Sequence, residues 1–400
     1  MCCSPSARRL VASALNRHEP KLFRPFSLEA RGTGLSKQQK SIRIMEVSPR
    51  DGLQNEPKIL TTELKVQLIE LLVGLNLQSI EVGSFVSPKW VPQMASTTEV
   101  ISHPGLKNAR SSTSVAFSCL IPNLRGFEAF EKANSSSVVA QAPVVDEIAL
   151  FASATEGFSM ANINSSISDS IKRMSEVARL AQGRGLEIRG YVSCAFGCPY
   201  EGKVDPKNVA SVTKELLSMG CYEVAISDTI GVGVPRQVEE CLNQLAQSGI
   251  NLAQLGVHCH DTFGTGLSNI LTAVGLGVQT VDSSIGGIGG CPYSPGSTGT
   301  GLSMLESHLC CLRLKLDMIW SKADVATEDI VYALESSGYH TGLIGPPLEP
   351  EAELGNDADL LLRLEPLAKV GAWINSQLHR ENSSRVGKAV LARTQKSKSN

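Results

Sequence analysis

IRIMEV (Ile42–Val47), then TTELKVQLIELLVGL (Thr61–Leu75), then SIEVG (Ser79–Gly83) reads as strand, helix, strand. The first and third runs are short, apolar and rich in β-branched residues. The middle one spaces its apolar residues at three and four, behind Thr62 as the expected N-cap. The same alternation continues outward through SVAFSCLIP (from Ser114), EIALFAS (Glu147), IRGYVSC (Ile188), YEVAISD (Tyr222), LGVHCHD (Leu255) and VQTVDSSI (Val278). Between these runs, DSIKRMSEVARLAQGRG and PKNVASVTKELLSMG are amphipathic and end near glycines suited to a helix C-terminus. Eight such units predict a parallel (β/α)8 TIM barrel with extra C-terminal helices and loop insertions. An open doubly wound sheet is the alternative. It predicts a G-x-G-x-x-G phosphate loop after the first strand, where the chain has VSPRDGLQN instead.

Bulk properties agree with one large domain. The chain has 400 residues, 42% of them hydrophobic, with a formal net charge of −2. That balance offers no basic footprint for nucleic acid. No apolar run approaches the roughly 18 residues that would span a bilayer, so no membrane partner is expected. The 11 cysteines are scattered and odd in number, which argues against a disulfide framework. Cys194 and Cys198 have no second pair to complete a zinc site. Residues 1–40 carry Arg8, Arg9, Arg17, Arg24 and Arg31 among small and hydroxyl residues, with Glu19 and Glu29 as their acids. This is the composition of a mitochondrial presequence and places the mature protein in the matrix. The catalytic domain is expected over 41–392, with insertions at about 133–145, 301–324 and 343–357, and a frayed tail over 393–400. A homodimer is the expected assembly.

Barrel active sites form where strands end. The polar residues there are Arg50 and Asp51 after the first strand, Glu81 in the second and Asp228 after the sixth. His258 and His260 belong to the seventh, and Asp282 to the eighth. Burying so many ionisable groups is costly unless they pair or bind metal. His258 and His260 stand at i and i+2, so both project to one face of their strand. Asp51 is two strands away around a closed barrel. Two imidazoles and a carboxylate with open positions suit a divalent cation that must still bind substrate. A second feature is SSIGGIGGCPYSPGSTG (Ser283–Gly299), a glycine-rich loop that carries Cys291.

SPRDGLQNE, IEVGSFVSPKWVPQM, PNLRGFEA, SCAFGCPYEG, DTIGVG, GVHCHDTFG and GGIGGCPYSPGSTG together resemble the 3-hydroxy-3-methylglutaryl-CoA lyases. These belong to a wider group of metal-dependent barrel enzymes that make or break carbon–carbon bonds. The likeness covers about Ile42 to Gly299 and resumes at VATEDIVYALESSGYHTG and LAKVGAWINSQLHRENSSRVGKA. It implies cleavage of 3-hydroxy-3-methylglutaryl-CoA, a small-molecule acyl-CoA substrate, to acetoacetate and acetyl-CoA. Mg²⁺ or Mn²⁺ would be held by Asp51, His258 and His260. Arg50 would stabilise the thioester oxyanion, Cys291 would protonate the enolate, and Gln54 would donate a hydrogen bond near the metal. Asp228 or His258 would take the hydroxyl proton, and Glu81 would orient Arg50 or the substrate. Cys194, Cys198 and Cys259 read as packing. A related condensing synthase is the second reading, against which the GGCPY loop counts.

One departure stands out. In the family the loop runs through a Gly-Asn pair into ATED, and that asparagine is a further metal ligand. Here Gly299 is followed by Thr300, and Gly301–Asp324 intervenes before VATED. The expectation is therefore a folded barrel with a weakened metal site and impaired activity.

Overall fold

The computed structural model describes residues 40–135, 143–290, 293, 324–343 and 357–398. Residues 1–39 of the expected presequence, Cys291, Thr300, residues 301–323 and the interior of the 343–357 segment lie outside the described residues.

The strands are β1 (Arg43–Glu46), β2 (Ser79–Ser84), β3 (Ala116–Leu120), β4 (Glu147–Ser153), β5 (Glu187–Ser193), β6 (Glu223–Asp228), β7 (Leu255–Cys259) and β8 (Thr280–Ser283). Each falls on one of the eight apolar runs. They pair in chain order, all parallel, and β1 closes on β8 with Arg43 opposite Thr280 and Glu46 opposite Ser283. A closed barrel removes the open-sheet alternative. Both faces of the strands are buried, the outer against the helices and the inner within the barrel.

Helices surround the sheet, and the main core lies between the two. Val66, Leu68, Ile69 and Leu72 of the helix Thr62–Val73 are buried in it. The cap of that helix is Thr61, one residue earlier than its sequence suggests: the Thr61 hydroxyl accepts from the Leu64 amide, and Thr62 already has helical geometry. Two adjacent threonines present the same chemistry, so only backbone geometry separates them. Around the expected 133–145 insertion, Ala133, Val144 and Val145 are buried. The Asn134 carboxamide ties both ends together, accepting from the Val144 and Val145 amides. At the C-terminus, helices cover Asp357–Arg363, Glu365–Leu378 and Arg385–Lys398. The last of these runs through most of the stretch expected to fray. Asp329 caps it, accepting from the Ser384 hydroxyl and the Val386 amide. Among the described residues, no helix is long and apolar enough to cross a membrane.

Inside the barrel the apolar layer is thin: Ala149, Tyr191 and Ala225, with Leu120 and Phe151 against them. Most of the remaining interior is charged. The barrel's stability therefore rests on the sheet–helix layer. Phe117 on β3 is fully buried there, so Phe117→Ala is expected to cost about 3–5 kcal/mol. Urea unfolding should show this, while Ile59→Ala, at a 58% exposed position, should shift stability by less than about 0.5 kcal/mol.

Candidate metal centre and active site

The mouth is assembled from strand ends. After β1 the chain winds through a π-helical turn, Ser48–Gly52, in which the Gly52 amide donates to the Val47 carbonyl. Such turns are rare and recur at functional sites. This one aims Arg50 and Asp51 into the barrel. Gly52 is required for close approach, since a Cβ there would fall 2.7 Å from the Ser284 hydroxyl.

His258 and His260 project together, as their spacing implies, with their Nε2 atoms 3.0 Å apart. Asp51 Oδ2 lies 3.2 Å from His258 Nε2 and 3.7 Å from His260 Nε2. A fourth donor joins them: Asp324 Oδ1 is 3.1 Å from His260 Nε2. One atom from each of Asp51, His258, His260 and Asp324 lies within 4.8 Å of all the others. Adjacent donors of a six-coordinate ion with bonds of about 2.1 Å lie about 3.0 Å apart, so the closest separations fit a small divalent cation. Buried carboxylate oxygens are normally hydrogen-bonded. Neither Asp324 oxygen receives a hydrogen bond from any described residue. The donor set and these orphaned oxygens together mark a possible metal-binding group.

Asp324 is a donor that the sequence reading did not include. Counting forward from Gly299 puts Thr300 at the ligand position and leaves Asp324 as the last residue of an insertion. Asp324 stands directly before VATED, where the likeness to the family resumes, and that position was the available signal. Locally, Asp324 pairs with His260 in an isolated antiparallel bridge, and Ala326 bridges Ser284. Gly289 (φ +112°) makes room for it, because a Cβ there would lie 2.5 Å from Asp324 Oδ2. The return point from the extra segment is therefore built into the site.

Charge is balanced closely at the mouth. Arg50 Nε donates to Glu81 Oε2 at 2.6 Å and Nη1 to Asp51 Oδ1 at 2.5 Å. Its guanidinium also lies 5.5 Å from the centre of the Tyr191 ring. Glu81 is thus paired with Arg50. Burial alone would raise the Asp51 pKa, but Arg50 and the histidines outweigh it and hold the carboxyl well below its usual range. Burial and then the Asp51 charge push Asp324 up to about 6. For His258 burial is again opposed and overcome, here by the Asp282 and Asp51 carboxylates, and its pKa rises to about 10. Without a cation the pair His258 and Asp51 is thus an imidazolium and a carboxylate.

The group opens into a cavity of about 640 Å³, lined at its floor by Arg50, Asp51, Gln54, His258 and His260. Phe151, Phe158, Trp90 and Tyr293 line its wall and rim. Tyr293 packs its ring 5.4 Å from that of Phe158 and 6.1 Å from that of Tyr200. Gly290, the residue before Cys291, also lines the cavity, and its carbonyl accepts from Asn55 Nδ2. Asp228 is placed differently. Its oxygens accept from the Val232 and Gly233 amides, folding the DTIGVG turn, and it does not line the cavity. Cys194, Cys198 and Cys259 are buried.

Residues 41–343 match the family model described as HMGL-like. The chain is 42% identical over 351 residues to the mitochondrial hydroxymethylglutaryl-CoA lyase of Homo sapiens, covering 88% of this chain and 90% of that one. The crystal structure of hydroxymethylglutaryl-CoA lyase from Pseudomonas aeruginosa superposes with a TM-score of 0.71 at 38% identity, over 89% of this chain and 99% of that one. An HMG-CoA lyase solved in complex with coenzyme A and 3-methylmalate, from Acinetobacter baumannii, has a TM-score of 0.67 at 29% identity, over 87% and 95% of the two chains. With the barrel, the H-x-H strand and the R-D turn all in place, the chain belongs to the HMGL-like family, alongside the hydroxymethylglutaryl-CoA lyases.

Proposed function

We propose that the chain is a divalent-metal-dependent lyase that cleaves 3-hydroxy-3-methylglutaryl-CoA to acetoacetate and acetyl-CoA. The carrying observation is the four-donor group, Asp51, His258, His260 and Asp324, of which Asp51 and both histidines line the cavity beside Arg50. Mg²⁺ or Mn²⁺ held there supplies a Lewis acid for the substrate's tertiary hydroxyl. The relatives support the substrate, because those compared bear the lyase name and one was solved with coenzyme A. They also weigh against the condensing synthase. The mitochondrial relatives support a matrix location, although the Pseudomonas lyase shows that the same fold serves a bacterium.

The residues divide the work as follows. Arg50 is fixed by Glu81 and Asp51, so its charge stands preorganised for the thioester oxygen as it becomes an enolate oxyanion. Gln54 lines the floor within reach of bound substrate. For the hydroxyl proton, placement favours His258 over Asp228, whose oxygens are occupied by backbone amides. Asp51, His260 and Asp324 would hold the cation, and His258 Nε2 would accept the proton. Cys291 follows Gly290 at the cavity wall and is the proposed acid for the enolate carbon. Asp324 removes the ground for expecting an impaired enzyme, because it supplies the oxygen donor that Thr300 was expected to lack.

Purified protein with 3-hydroxy-3-methylglutaryl-CoA and Mg²⁺ should release acetoacetate, and a chelator should stop it. Full activity of Asp51→Ala in chelator would overturn the metal reading. Arg50→Gln should lower kcat by on the order of 10²–10³ with little change in KM.

The fourth ligand has its own test. Asp324→Asn keeps an oxygen donor but removes a charge, so Mn²⁺ affinity should fall by about tenfold, or about 1.4 kcal/mol. Asp324→Ala should lose more. If Asp324→Ala binds Mn²⁺ as tightly as wild type, Asp324 is not a ligand.

The pKa shifts fix a sign for pH. Up to about pH 10 the cation must displace a proton from His258, and below about pH 6 a second from Asp324. Mn²⁺ affinity should therefore rise with pH, by about tenfold per unit near neutrality and more steeply under pH 6. Titrations followed by electron paramagnetic resonance at several pH values read this directly. A flat profile would remove His258 from the ligand set.

A further inference from the structure

His258 is held from behind. Its Nδ1 lies 3.2 Å from Asp282 Oδ2, on the neighbouring strand β8, while its Nε2 faces Asp51 and His260. Arg189 reaches Asp282 from β5, across the barrel. Its Nη2 donates to Oδ1 at 2.6 Å and its Nη1 to Oδ2 at 3.2 Å. Its third nitrogen, Nε, donates to Glu223 Oε1 at 2.8 Å. Glu223 Oε2 in turn accepts from Thr280 Oγ1 at 2.5 Å and from Arg43 Nη2 at 2.8 Å. The path of the Arg189 side chain depends on Gly256, two residues before His258, because a Cβ there would fall 2.8 Å from Arg189 Nη2. Arg189 has no exposed surface and does not line the cavity, so it does not touch substrate.

An ionised carboxylate only accepts hydrogen bonds. The nitrogen that faces Asp282 must therefore carry a proton, which leaves the lone pair of a neutral ring on Nε2. Arg189 fixes the plane of the Asp282 carboxylate with two parallel bonds and offsets its charge. We propose that Asp282 and Arg189 are positioning residues, which fix a proton on His258 Nδ1 and present the Nε2 lone pair to the cation group. This rests on the metal reading above. The same presentation also serves His258 when Nε2 accepts the substrate proton. Partners of this kind behind a ligating imidazole typically contribute 10–100-fold to metal affinity. A carboxamide cannot replace Asp282. Turning its oxygen to His258 puts its NH₂ against a guanidinium N–H, and the reverse orientation removes the acceptor from Nδ1.

Two readouts on the full chain test the proposal. The first is Mn²⁺ affinity by electron paramagnetic resonance at fixed pH. The second is the ring Nδ1–H proton of His258, seen by NMR and assigned by its loss in His258→Gln. Wild type should show that proton protected from exchange, with or without Mg²⁺. In Asp282→Asn the resonance should disappear or shift strongly, and the Mn²⁺ Kd should rise about 10–100-fold. In Gly256→Ala, which crowds Arg189 and the Glu223 carboxylate it binds, a smaller rise of several-fold is expected. Folded Asp282→Asn with unchanged Kd and an unchanged proton overturns the proposal. So does the absence of the protected proton in wild type, a result that needs no variant to fold well. If wild type binds no Mn²⁺ but shows the proton, and Asp282→Asn loses it, the metal reading fails while the positioning of His258 stands.

Discussion

Carboxylates outnumber guanidiniums inside this barrel. Asp51, Glu81, Glu147, Glu223, Asp282 and Asp324 are buried or nearly so, facing Arg50 and Arg189, with Arg43 partly exposed at the edge. Unpaired buried charge is expensive, and removing one partner of a buried pair typically costs about 3–5 kcal/mol. Each guanidinium therefore serves two acids: Arg50 binds Asp51 and Glu81, and Arg189 binds Glu223 and Asp282. Tyr191 separates the two guanidiniums, with its ring centre 5.5 Å from one and 4.8 Å from the other. That leaves Glu147, which accepts from the Tyr222 hydroxyl, and Asp324, which stands at the mouth beside the histidine pair. An excess of negative charge with no guanidinium left to meet it is a demand for a cation from outside, a proton on His258 or a metal.

Rigidity follows from the same pairing. The Arg50 and Asp51 turn leans on the end of β8, and the glycine turn beginning at Ile285 is held by two further buried acids. Glu46 accepts from the Ile285 and Ser48 amides, and Glu328 accepts from the Gly286 amide. Burial raises both, Glu46 to about 7 and Glu328 to about 8. Asn375, from the helix Glu365–Leu378, donates to the Gly286 carbonyl. The C-terminal helices are thus buttresses for the active-site turn, which gives a structural reason for a barrel to carry them.

The strands were legible because short runs rich in apolar and β-branched residues alternate eight times with amphipathic stretches. His258 and His260 were legible because a strand's period of two is a local rule, and Asp51 because barrel closure brings β1 next to β8. The Arg189–Asp282 pair was not, since nothing in local sequence says which of several interior ions will meet across a barrel. Asp324 was hidden by a counting choice: the extra segment lies between the two anchors, so position could be counted from either side. Asp228 looked like a site residue because it ends a strand, yet its carboxylate closes its own turn. A strand-end acid followed by a glycine-rich turn serves either purpose, and only the backbone geometry tells them apart.

The extra segment bears on the site less than its length suggests. Its return is specified by pairings that do not involve it. The Ser284 amide donates to the Val325 carbonyl, the Thr327 amide donates to the Ser284 carbonyl, and the Thr327 hydroxyl bonds Glu46. These contacts, with the helix Thr327–Ser336 that follows, hold Asp324 against His260. With both ends pinned by contacts among the described residues, each doubling of the connection's length costs about 0.6 kcal/mol in loop-closure entropy. That is small beside the roughly 3–5 kcal/mol at stake when a buried ionic pair loses a partner. The geometry of the metal group is thus set by the pairing of buried charge across β1, β7 and β8 and by the return strand at Asp324, rather than by the length of the connection between Gly290 and that return.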